Sequence, residues 1–185
     1  MELAPFTPYL SNPTADSRRE IARQLMDDGD ASTDRLVDGL LQIIAMEGPV
    51  LSSRVFGLYA KKGGLEKLTP VAKRRFSVAL KKARADDRVN MEQDPHPDEV
   101  VALCWLPSMP RVVVREYGNR GFDQIPASEL GEVLFELASE QDGDAAGLFQ
   151  RLAVFYGLKQ VPKKAEARLQ MVYSEYLGSV FGSAN

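Results

Sequence analysis

A chain of 185 residues, 44 % of them hydrophobic, has the material for one domain with a substantial core or for two small ones. Its net charge of −3 and sequence pI near 5.3 exclude a protein that coats nucleic acid indiscriminately, so any such binding must be local. No long apolar run suits a membrane span and no basic-then-apolar start suits a signal peptide, so a cytoplasmic location and no membrane partner are expected.

Residues 1–32 read as an N-terminal arm and a short helix. The arm, Met1 to Pro13, carries three prolines with Phe6, Tyr9 and Leu10, which favours an extended segment packing its aromatics onto the body. Ser17 to Met26 suits a short helix, and Asp27-Asp28-Gly29-Asp30 a solvated acidic turn without the ligand spacing of an EF-hand.

Residues 33–117 read as a winged-helix domain with a β wing. From Thr33, the positions Leu36, Leu40, Ile43, Ile44 and Met46 give an amphipathic helix that Gly48-Pro49 ends. Ser52 or Ser53 caps the next helix, which buries Val55, Phe56, Tyr59 and Ala60 before Gly63-Gly64 stop it. Thr69 then caps a third, with Pro70 at its first position. Ala72, Phe76, Ala79, Leu80 and Ala83 line its inner side. Beyond Asp87 the period changes, and Arg88–Gln93 and Val100–Leu106 read as two strands around the Pro95–Pro97 loop. Three helices followed by a hairpin is the order of a winged helix, with the third helix in the recognition position. Arg111–Tyr117 reads as a third strand or extended connector.

Residues 118–185 read as a second helical, winged-helix-like unit. A linker-like stretch, Gly118–Ile125, leads to a helix from Pro126 with Leu130, Val133, Leu134, Leu137 and Ala138 on one face, then to helices over Ala145–Phe155 and Lys163–Leu177. A shift of 93 residues places Leu65 on Leu158, Ala72 on Ala165, Arg75 on Arg168 and Phe76 on Leu169; Ala60 and Gly64 fall on Ala153 and Gly157. The last third therefore reads as an internal repeat of the three-helix core, ending before a second wing. The expected fold class is mainly α with a small β hairpin.

The phrases LLQIIAMEGPV, Cys104-Trp105-Leu106, IPASELGEVLFEL and LAVFYGLKQV resemble, in this order, the uncharacterised winged-helix domain at the C-terminus of large bacterial superfamily-one helicase-like proteins. The likeness spans roughly Tyr9 to Leu177. Those proteins often carry a restriction-endonuclease-like domain, so the resemblance implies an accessory role in DNA processing or defence, with a helicase or nuclease as protein partner. The motor motifs of the family are missing here: Lys62-Gly63-Gly64 has neither the spacing nor the preceding strand of a phosphate loop.

The residues nominate a charged surface. Between Lys61 and Arg84 the cations stand against Glu66 alone, and Lys61, Lys62, Lys67, Lys73, Arg74, Ser77, Lys81 and Arg84 are the candidate nucleic-acid-binding set, with DNA the expected ligand. Basic side chains on a recognition helix suit phosphates and base edges. The acidic wing tip, Asp94 to Glu99, opposes this by repelling the backbone. The second copy is more mixed in charge, with Arg151, Lys159, Lys163, Lys164 and Arg168 diluted by Glu166 and Glu175. The alternative is a protein-interaction or dimerisation module, using exposed Val71 and Val78 or Met171, Tyr173, Tyr176 and the Leu177–Phe181 tail. No enzyme activity, metal or cofactor is expected. His96 is the lone histidine and sits on a loop, and Cys104, the lone cysteine, reads as a core thiol.

Overall fold

The computed structural model describes residues 3–97, 99–140 and 144–178. It is mainly helical with a small three-stranded antiparallel sheet. The chain divides into two compact units: an N-terminal one of Thr7–Glu92 with Ala102–Arg111, and a C-terminal one of Met1–Phe6, Gln93–Val101 and Val112–Asn185.

The N-terminal unit begins with α1 (Ala15–Met26), where Thr14 and Ser17 form a reciprocal capping box. Next come α2 (Asp30–Glu47), β1 (Val50–Leu51), α3 (Ser52–Lys62) and α4 (Pro70–Ala85). Thr69 accepts the Ala72 N–H at 3.2 Å, so the predicted start of α4 is the observed one. Strands β2 (Asn90–Asp94) and β3 (Val101–Trp105) follow, and the sheet order is β1-β3-β2. Val50 faces Cys104 and Leu51 faces Leu103 across the antiparallel β1–β3 pair. Helix, strand, helix, helix and hairpin is the winged-helix order, with α4 third among its helices.

The apolar side of α2 (Leu36, Leu40, Ile43, Ile44) meets Val55, Phe56 and Tyr59 of α3 and the Ala72, Phe76, Ala79, Leu80 and Ala83 row of α4. Phe76 is the hub, its ring centroid 5.6 Å from that of Phe56 and 5.4 Å from that of Tyr59. Burying a side chain of this size contributes about 1.5–3 kcal/mol. Cys104 lies in this core, and burial pushes its thiol up to about 12.

The C-terminal unit holds α5 (Ala127–Glu140), α6 (Ala145–Phe155) and α7 (Glu166–Tyr176), the last preceded by a 3-10 turn at Lys163–Ala165. Leu130, Leu134, Leu152, Leu169 and Val172 form its centre. Gly118–Ile125 is no linker: Phe122 and Ile125 are buried and Arg120 is 3 % exposed. Arg111–Tyr117 is connector rather than strand, save for a parallel bridge between Ala4 and Arg115. Of the arm, Phe6 is buried, with the Arg120 guanidinium 4.6 Å from its ring centroid, whereas Leu10 is 73 % exposed.

Two segments 93 positions apart share backbone detail. Helices α3 and α6 are both 11 residues long and start 93 positions apart, at Ser52 and Ala145. Gly64 and Gly157 after them have φ of +74° and +75°, and the Leu65 and Leu158 N–H groups return to the Ala60 and Ala153 carbonyls. The same glycine cap thus closes both helices.

Candidate nucleic-acid interface

Helix α4 has two chemically distinct sides. The inner one is apolar. On the outer one Lys73, Arg74, Lys81 and Arg84 are exposed, and Arg74, Lys81 and Arg84 make no ion pair among the described residues. Ser77 is half-buried and donates its hydroxyl to the Lys73 carbonyl at 2.8 Å, which leaves the oxygen lone pairs for an external donor.

Two other cations of α4 serve the fold. Arg75 donates to the Asp27 carbonyl at 2.5 Å and the Gln24 carbonyl at 3.3 Å, satisfying orphan groups at the end of α1. Lys82 lies 3.1 Å from Asp34 and 3.0 Å from Asp86, and hydrogen bonds to Asp86 and Asp34 hold its ammonium above the usual lysine range. The acidic turn before α2 is likewise structural. Asp27 accepts from the Ser32 hydroxyl at 2.6 Å and the Gly29 N–H at 3.0 Å, which lowers its pKa.

The nominated lysines outside α4 divide. Lys61 and Lys67 are exposed, at the end of α3 and in the following turn. Lys62 is half-buried, its ammonium 5.7 Å from the Tyr9 ring centroid and 6.0 Å from that of Tyr59. It therefore also helps hold the arm. Sequence reading missed Arg18, an exposed cation of α1 that lines a surface recess with Lys61, Leu65 and Leu68. Nothing in the sequence signals it, because α1 and the α3–α4 turn meet only in the fold.

The wing corrects one expectation. Asp94 is 3 % exposed rather than part of an acidic tip. It accepts from Arg168 at 2.8 Å and from the Ala127 N–H at 2.7 Å within the C-terminal unit. Burial raises its pKa against the pull of Arg168. Arg168 is accordingly no surface cation of the second copy, since its guanidinium also reaches the Ile125 and Pro95 carbonyls. Asp98, another acid of the tip, lies outside the described residues.

The positions equivalent to the candidate interface carry no cation in the C-terminal unit, and one of them is acidic. Shifting by 93 positions, Lys61 becomes Val154, Lys67 becomes Gln160, Lys73 becomes Glu166, Arg74 becomes Ala167, Ser77 becomes Gln170 and Lys81 becomes Ser174. A recess lined by Ala145, Phe149, Val161, Glu166, Ala167 and Gln170 occupies that place. Of the residues considered for dimerisation, Met171 is 38 % exposed, Leu177 is buried, and the tail from Ser179 to Phe181 lies outside the described residues. Tyr173 packs edge-on against Phe149, 6.1 Å between centroids.

No group of three His, Cys, Asp or Glu side chains converges as a metal site among the described residues, and no helix there is long and apolar enough to cross a membrane. Comparison with family models, curated proteins and solved structures gave no match.

Proposed function

We propose that the chain is a non-catalytic winged-helix module that binds DNA through the outer face of α4, as an accessory to a helicase or nuclease system. The observation that carries the reading is the exposed set Lys73, Arg74, Lys81 and Arg84 on the helix in the recognition position, flanked by Lys61 and Lys67. Such a helix sets cations on phosphates and side chains at base edges. Burial of Asp94 supports it further by removing one anion from the wing tip. The helicase or nuclease partner rests on the resemblance of the LLQIIAMEGPV and IPASELGEVLFEL phrases alone. Cys104 offers no nucleophile, since its thiol is buried in the core.

The test is a fluorescence-anisotropy titration of short duplex and single-stranded DNA at low and moderate salt, comparing the wild-type chain with Lys73→Glu/Arg74→Glu/Lys81→Glu. Binding that weakens with salt and vanishes in the folded variant is expected. No binding at low salt would sink the reading.

A second reading, association through the C-terminal unit, draws on Val154 and Met171, which are 63 % and 38 % exposed. Sedimentation of the wild type against Val154→Glu/Met171→Glu separates the two.

A further inference from the structure

We propose that α4 reads thymine methyl groups of duplex DNA with Val71 and Val78, an inference that rests on the nucleic-acid reading of the same helix face.

The buried row Ala72, Phe76, Ala79, Leu80 and Ala83 fixes which side of α4 is outermost, and along that crest Val71, Arg74, Val78 and Lys81 follow at spacings of three, four and three residues. Val71 is 60 % and Val78 44 % exposed. Nothing in the fold calls for valine there: exposed helical positions favour long unbranched or charged residues, and a β-branched side chain gives up helix propensity while leaving methyl groups in water. Both valines are interleaved with cations that make no ion pair among the described residues, which describes a surface for an anionic ligand carrying small apolar knobs.

Duplex DNA supplies that combination, phosphates at the groove edge and the C5-methyl of thymine on its floor. The seven-residue separation of the valines is about 10.5 Å at 1.5 Å per residue, or about three base-pair steps of 3.4 Å. B-form DNA admits a helix in its major groove, whereas A-form RNA has a deep, narrow one that side chains cannot read and carries no thymine. The occupant is therefore thymine-containing DNA.

The experiment titrates four labelled probes in two pairs: an alternating A·T duplex and the same duplex with deoxyuridine in place of thymidine, and a G·C duplex without and with 5-methylcytosine, which restores a methyl in the same groove. The full chain is compared with Val71→Ala/Val78→Ala, a change that raises helix propensity at both positions. The wild type is expected to favour the methylated member of each pair by about fourfold per contacted methyl, the equivalent of burying one carbon. The variant should bind both members equally and keep the wild-type salt dependence. Equal wild-type affinity for methylated and unmethylated duplexes, or discrimination that survives in the variant, overturns the methyl readout while leaving the basic face standing. Absence of binding to every probe at low salt overturns both readings.

Discussion

Arg168 donates to Asp94 at 2.8 Å although the two lie 74 residues apart, and each side chain is only 2 % exposed. One belongs to α7 and the other to the end of β2, so a helix residue and a strand residue pair away from water.

Removing one partner strands the other. Arg168→Met should lower the stability of the C-terminal unit by roughly 3–5 kcal/mol near neutral pH, because the Asp94 carboxylate is left buried without a counter-charge. The sign of the pH dependence follows from burial, which already raises the Asp94 pKa. Without Arg168 the pKa rises further, so the variant's deficit should shrink as the pH falls and Asp94 takes up a proton. Thermal unfolding of both proteins between about pH 4 and 8 checks this, and a deficit constant with pH would contradict it.

The two glycine caps allow a paired test. Gly157→Ala has open space for its Cβ at a φ of +75°, so the cost should be backbone strain alone, about 1–2 kcal/mol. Gly64→Ala meets the same strain at +74°, and its Cβ would also lie 2.8 Å from the Arg18 side chain, which is flexible enough to move. Denaturant unfolding should therefore give similar losses at both sites, slightly larger at Gly64.

For Asp27 the pKa shift runs the opposite way, although the gap between wild type and variant again narrows in acid. Its carboxyl is held below the usual range by the Ser32 hydroxyl and the Gly29 N–H, so its stabilising effect is present above the unfolded pKa and lost as pH falls through the lower folded value. Asp27→Asn should thus melt below the wild type at neutral pH, with the gap closing as the pH falls below the model-peptide value of about 3.9. A gap that widens in acid would contradict this.

Charge neutralisation can count phosphates. Arg74→Gln and Lys81→Gln should each reduce the slope of log affinity against log salt by about 1 if each reaches one phosphate. Lys82→Gln is the contrast, since that ammonium is already committed to Asp34 and Asp86. It should alter stability more than the salt slope, as read by anisotropy titration beside thermal unfolding.

What the sequence discloses is what repeats locally. Thr69-Pro70 and the period of Ala72, Phe76, Ala79 and Leu80 set α4 in place because capping and amphipathicity act within a turn or two. Helix α2 starts at Asp30 rather than Thr33, because Gly29 serves as its N-cap without a side-chain signal. Strand β1, two residues long, exists only through its pairing with β3 and has no period to read. The buried carboxylates were the least legible. Glu47 reads as helix-end punctuation, yet it accepts from the Arg54 Nε at 2.5 Å and from the Tyr9 N–H at 2.7 Å. Glu129 has no sequence signal of burial, yet it accepts from Arg120 at 2.8 Å. A charged residue looks like surface until its distant partner is known.

The division of α4 into a core side and a crest separates two demands on one helix. Substitutions at Arg74, Val78 and Lys81 touch neither the Phe76 cluster nor the Thr69 cap, so the crest can change as a unit while the fold stays as it is. At the positions 93 residues on, the 11-residue helix and its glycine cap recur while the outward residues differ. Outward-facing chemistry on α4 is therefore free to vary without disturbing the packing that holds the helix in place.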